Sequence, residues 1–69
     1  MPRYFFHTKR GQVTVLDQDG VDLINSAQAE EEAARRAQEI VAREGATAAK
    51  DRAIVVADEN WQTLFEFLF

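Results

Sequence analysis

Asn25-Ser26-Ala27-Gln28-Ala29-Glu30-Glu31-Glu32-Ala33-Ala34-Arg35-Arg36-Ala37-Gln38-Glu39-Ile40-Val41-Ala42-Arg43-Glu44-Gly45 is the long helical stretch of this 69-residue chain. Its apolar residues recur at the helical period. Ala29, Ala33, Ala37, Ile40 and Val41 fall on one stripe, with Ala34 at its margin. Gln28, Glu31, Glu32, Arg35, Arg36, Glu39 and Arg43 fall opposite. Asn25 and Ser26 are good N-cap residues, and Gly45 is a natural stop. Glu30, Glu31 and Glu32 lie near the positive end of the helix dipole and Arg43 near its negative end. Glu31–Arg35, Glu32–Arg36 and Glu39–Arg43 are i,i+4 pairs in the better orientation, each worth about 0.2–0.5 kcal/mol.

Outward from the helix the period falls to two. Residues 3–9 alternate Tyr4, Phe6 and Thr8 against Phe5, His7 and Lys9, an aromatic strand. Arg10-Gly11-Gln12 is a turn, and Val13-Thr14-Val15-Leu16 a second, β-branched strand. Asp17-Gln18-Asp19-Gly20 reads as another turn, with Gly20 free to take positive φ, and Val21-Asp22-Leu23 as a short extended lead into the helix. Beyond Gly45, Ala46-Thr47-Ala48-Ala49-Lys50 is a connector and Ala53-Ile54-Val55-Val56-Ala57 a third strand. Asp58-Glu59-Asn60-Trp61 is a turn in which Asn60 suits the left-handed conformation, and residues 62–69 form the last strand. The expectation is a single α+β domain over residues 1–69. Its order is ββαββ, with a four-stranded antiparallel sheet and one amphipathic helix packed on one face. Strand order is open: the first strand adjoins the third, or the second adjoins the fourth.

Composition narrows the function classes. A chain this short buries only about 60% of its unfolded surface and needs support from disulfides, a metal or oligomerisation. Without cysteine it can form neither disulfides nor thiolate zinc sites, and one histidine cannot build a multi-histidine site. Oligomerisation remains. Nothing resembles a signal peptide, and no apolar run approaches the roughly eighteen residues of a membrane span, so a cytoplasmic location is expected. Net charge is −4 with twelve acids against eight bases, which weighs against a nucleic-acid partner.

Both ends of the chain are aromatic and together hold all five phenylalanines. In the last strand Phe65, Phe67 and Phe69 share one face, expected to meet the helix together with Tyr4 and Phe6. Phe5, His7, Leu64, Glu66 and Leu68 are then expected on the uncovered face, and Trp61, in its turn, is expected to pack over the end of the sheet or else to anchor a partner. Such a face calls for a partner surface. The expected function is therefore a non-enzymatic module that self-associates, as a homodimer, or binds another protein. The alternative is a single-stranded nucleic-acid module built on Arg3, Tyr4, Phe5, Lys9 and Arg10, whose aromatics and flanking cations suit stacked bases.

Two other constellations are weaker. Asp17-Gln18-Asp19-Gly20-Val21-Asp22 has the acids of a calcium loop, but its glycine falls at position four and Gln28 stands at position twelve, so it reads as an acidic turn. His7 and Glu66 are on one face, yet nothing completes a catalytic site around them. No cofactor, metal or catalytic residue is expected.

Met1-Pro2-Arg3-Tyr4-Phe5-Phe6-His7, followed by Leu16-Asp17, Asp19-Gly20-Val21, an alanine- and glutamate-rich helix, Asp58-Glu59 and a final Phe69, resembles a group of small rhizobial-type alphaproteobacterial proteins. That group is classified only as a domain of unknown function. The resemblance covers nearly the whole chain and implies a compact ββαββ domain with no activity, ligand or catalytic residues to carry over. The chain departs from the pattern at Asn60-Trp61, where a glycine would follow the Asp-Glu turn.

Overall fold

The computed structural model describes residues 1–45 and 47–68. Among them are β1 (Arg3–Arg10), β2 (Val13–Val15), β3 (Val21–Asp22), α1 (Ser26–Glu44), a 3-10 turn (Ala48–Asp51), β4 (Arg52–Ala57) and β5 (Thr63–Leu68). The domain is α+β, and the sheet is antiparallel with order β2-β1-β4-β5. The structure corrects the strand count from four to five. Residues 21–22 pair with Arg3 and Tyr4, so the lead into the helix is itself a strand. Of the two open arrangements, β1 adjoins β4, from Phe5↔Ala57 to Arg10↔Arg52.

β2 and β3 lie along the same edge of β1, and residues 16–20 form a loop between them. Asp17 closes that gap with its side chain. Its carboxylate accepts from Phe6 N (3.1 Å), Asp19 N (3.1 Å) and Gly20 N (3.2 Å). One acid thus supplies an acceptor to β1 where the ladder is interrupted, and shapes its own turn. Burial pushes its carboxyl up, but the backbone donors of Phe6, Gly20 and Asp19 and the charge of Arg36 outweigh it and hold the group below its ordinary value. Gly20 takes φ +73°, and a Cβ there would stand 2.7 Å from Arg3 Cγ and 2.9 Å from the Phe5 ring. Only glycine fits both requirements.

The helix forms as the sequence dictates. The Asn25 side chain accepts from Gln28 N (3.0 Å), the Gln28 side chain returns to accept from Ile24 N (3.0 Å), and Gly45 N donates to Val41 O (2.7 Å). Its buried stripe is Ala29, Ala33, Ala37 and Ile40; Val41, expected on it, is exposed. Three alanines let the helix approach closely, and Tyr4, Phe6, Ile54 and Val56 rise from the sheet to fill the core, with Phe65 and Phe67 packed at its margin. Phe69, expected on the same face, and Ala46 of the connector lie outside the described residues. Of the expected ion pairs, Glu32–Arg36 forms at 2.8 Å, while Arg35 reaches Glu32 at 2.6 Å and also Glu39 rather than Glu31. Arg36 also lies 4.4 Å from the Phe6 ring centroid.

Candidate functional site

The outer face of the sheet, opposite the helix, carries Phe5, His7 and Lys9 from β1 and Ala53, Val55 and Ala57 from β4 by register. From β5 it carries Glu66 and Leu68, opposite Val55 and Ala53. Phe5 and His7 were expected to be exposed here; the structure corrects this, with only 8% and 6% of their surface accessible. The residue that covers them is Trp61. Its ring stacks on Phe5 (centroids 4.6 Å, 20°) and on His7 (5.3 Å, 5°), lying across two side chains that alternate onto the same face of β1.

The turn delivers Trp61 there by an unusual backbone. Asp58 organises it: its carboxylate accepts from Asn60 N (2.9 Å) and Gln62 N (3.0 Å), and its carbonyl accepts from Trp61 N (3.0 Å). The left-handed residue is Trp61, with φ +62°, not Asn60 as expected. An L-residue pays about 1–2 kcal/mol for that conformation. Stacking on two rings, at about 0.5–1.5 kcal/mol each beyond buried area, offsets it. Local propensity favours asparagine in such a position, and tertiary stacking overrides it. Trp61 remains 54% exposed, so one face of the indole is engaged and the rest is open.

His7 is fixed by a second contact. Asp17 N donates to its Nδ1 at 3.0 Å, which makes Nδ1 the accepting nitrogen and fixes the ring's orientation. Glu66, expected beside His7, pairs instead with Lys9 Nζ at 3.2 Å. The carboxylate and the imidazole therefore serve different partners. A signal for His7's burial was present in the chain: Tyr4-Phe5-Phe6 and residues 53–57 are continuous apolar runs without alternation, the mark of central strands covered on both faces.

Leu68 is 70% exposed in the outer-face row. Leu64 departs from that row. The register shifts between Val56 and Ala57, so Phe65 faces Val56, Thr63 faces Ala57, and Leu64 is the extra residue of a bulge. It lines a hollow at the sheet's end with Pro2, Tyr4, Ser26 and Asn60. The residues of the nucleic-acid alternative scatter as well. Tyr4 enters the core on the helix side, Phe5 lies beneath Trp61, and Arg3 bonds Asp22 at 3.0 Å and, through its backbone, Glu59. Arg10 is exposed.

No helix among the described residues is long and apolar enough to cross a membrane. Residues 3–69 match the family model described as Domain of unknown function (DUF6894). No curated protein and no solved structure matches the chain.

Proposed function

The chain belongs to the DUF6894 family, a domain of unknown function, and from that premise we propose a non-enzymatic interaction module that self-associates or binds another protein through the outer face of its sheet. One observation carries this reading. Among the described residues the outer face has no second layer, and it presents the open side of Trp61 at one end and Leu68 at the other. A half-exposed tryptophan held in a costly backbone conformation is a rigid anchor, the residue type that dominates interface energetics. Lys9–Glu66 between the two apolar ends neutralises itself and leaves no unpaired charge to desolvate. Leu64 stands apart from that face, lining a hollow with Arg3, Ser26, Asp58 and Glu59.

The nucleic-acid reading draws less support, since no aromatic face of β1 is presented to a base and Arg3 and Lys9 are each held by an acid. The test is solution mass by light scattering across a concentration series, for the wild type and Leu68→Asp. A wild-type mass above the monomer that falls in the variant, with circular dichroism unchanged, supports the outer face. A mass indifferent to Leu68→Asp counts against that face as a self-association surface.

A further inference from the structure

We infer that a second copy of this chain pairs with β2 across a two-fold axis, edge to edge and antiparallel, making one continuous sheet from two protomers. The surface differs from the outer face, so the inference goes beyond the reading above and stands apart from it.

β2 is an edge strand: among the described residues its one strand neighbour is β1. Proteins normally guard such edges with lysine, proline, bulges or inward charges. β5, at the opposite edge, has both a bulge and the charged Glu66. Val13-Thr14-Val15-Leu16 has none of these. Val13 and Val15 are 64% exposed and Leu16 58%, a run of apolar residues on an open backbone edge. Thr8↔Val15 and Arg10↔Val13 place both valines on the helix side, where α1 packs over β4 and β5 and leaves them exposed. An antiparallel two-fold centred on Thr14 sets Val13 of each copy against Val15 of the other, the cross-strand pairing that β-branched side chains favour.

Charge selects the same arrangement. The protein is 35 Å long, and its two ends differ in sign. Asp19, Asp22 and Glu59 gather round Arg3 at one end. Lys9 and Arg10 close the β1–β2 hairpin at the other, where Arg52 stands opposite Arg10. Glu44, paired with Arg52, Glu66, paired with Lys9, and Asp51, whose carbonyl accepts from Gly11 N, are the acids there, and Lys50 beside Asp51 is a fourth base. Antiparallel pairing lays the basic end of each copy along the acidic end of the other, and Arg10 approaches the turn that carries Asp19. Parallel pairing would put like ends together. The equivalent two-fold at β5 would bring the Glu66 residues of the two copies close, each already served by its own Lys9. β2 is therefore the complementary edge.

A strand of three residues buries less than the ~1,600 Å² of a standard interface, so the dimer is concentration-dependent and weakened by salt. The two-fold runs perpendicular to the sheet, so both helices lie on one side and both Trp61 rings on the other.

The experiment compares sedimentation of the wild type, Val13→Lys/Val15→Lys, Leu68→Asp and a charge-swap series at low salt. The expected result is a wild-type dimer at high concentration that is monomeric in the double lysine variant and intact in Leu68→Asp. Arg10→Asp weakens association at least severalfold, and adding Asp19→Arg restores it. Restoration is a readout that a folding defect cannot mimic. A wild type that stays monomeric at the highest concentration overturns the inference. So does a dimer indifferent to the lysines but broken by Leu68→Asp, an outcome that leaves the outer-face reading standing.

Discussion

The two faces of this sheet are sealed by different means. On one, a nineteen-residue helix lays an alanine stripe over Tyr4, Phe6, Ile54 and Val56. On the other, a single indole, held at φ +62° by an aspartate-capped turn, covers Phe5 and His7. The helix face holds the deeper core, shared among several fully buried side chains. The outer face hangs on one residue and the loop that aims it. A small domain can bury both faces of its central strands without a second helix, but the second cover is partial, and its exposed remainder is available for contact.

The largest expected effect falls on the helix side. Ile54, 1% exposed, lies between helix and sheet. Ile54→Ala should cost about 2–5 kcal/mol, much of a domain this size, read from the urea midpoint. Leu68→Ala, on the open side, should stay within about 0.5 kcal/mol. Equal losses would mean that the faces do not differ as described.

Trp61 sharpens the contrast. Trp61→Ala loses the stacking and keeps the left-handed strain, whereas Trp61→Gly loses the stacking and relieves it. The glycine variant should be more stable than the alanine variant by about 1 kcal/mol, with both below wild type. If alanine proved the more stable, the backbone at position 61 would not be under strain. Gly20→Ala probes the same face from beneath, through the crowding against Arg3 and Phe5. A loss of about 1–2 kcal/mol, with a change in Trp61 fluorescence as Phe5 shifts, is the expected result.

The smallest effect is on acid stability. The Glu32 carboxyl is lowered from 4.5 to about 2, first by the hydrogen bond from Arg35, with burial opposing and Arg36 adding to it. Its folded pKa lies below its unfolded one, so this stabilisation is complete above pH 4.5 and fades as pH falls toward about 2. Asp17, also lowered, acts with the same sign on the loop beside His7. Glu32→Gln should flatten the acid limb of the stability curve and Asp17→Asn should flatten it further along the β1 edge. Thermal melts between pH 2 and 7 that superimpose on wild type would remove both carboxylates from the account.

The helix, its caps, the turn at Gly20 and the strand segments were legible because each depends on contacts a few residues apart. Asn25 needs only Gln28, and the alanine stripe needs only the 3.6-residue period. The outer face of the sheet was legible in part. Leu68 is exposed as expected and Trp61 stacks over the sheet while staying half open, but Phe5 and His7 are buried, and Leu64 sits in a bulge. None of those three outcomes is local. Which ring covers His7 depends on where a turn fifty residues away returns the chain, and a bulge arises from pairing between strands.

Residue pattern alone establishes a small α+β domain with one alanine-faced helix, no cysteine chemistry and more apolar strand surface than one helix can cover. Folding alone places β1 and β4 at the centre, sets Asp17 across the interrupted edge, and puts Trp61 rather than Asn60 in the left-handed position. Periodicity and propensity act over one turn of chain. Strand order, side-chain bridges and the toleration of strain are settled by the sum of distant contacts, and that sum exists only once the chain has folded.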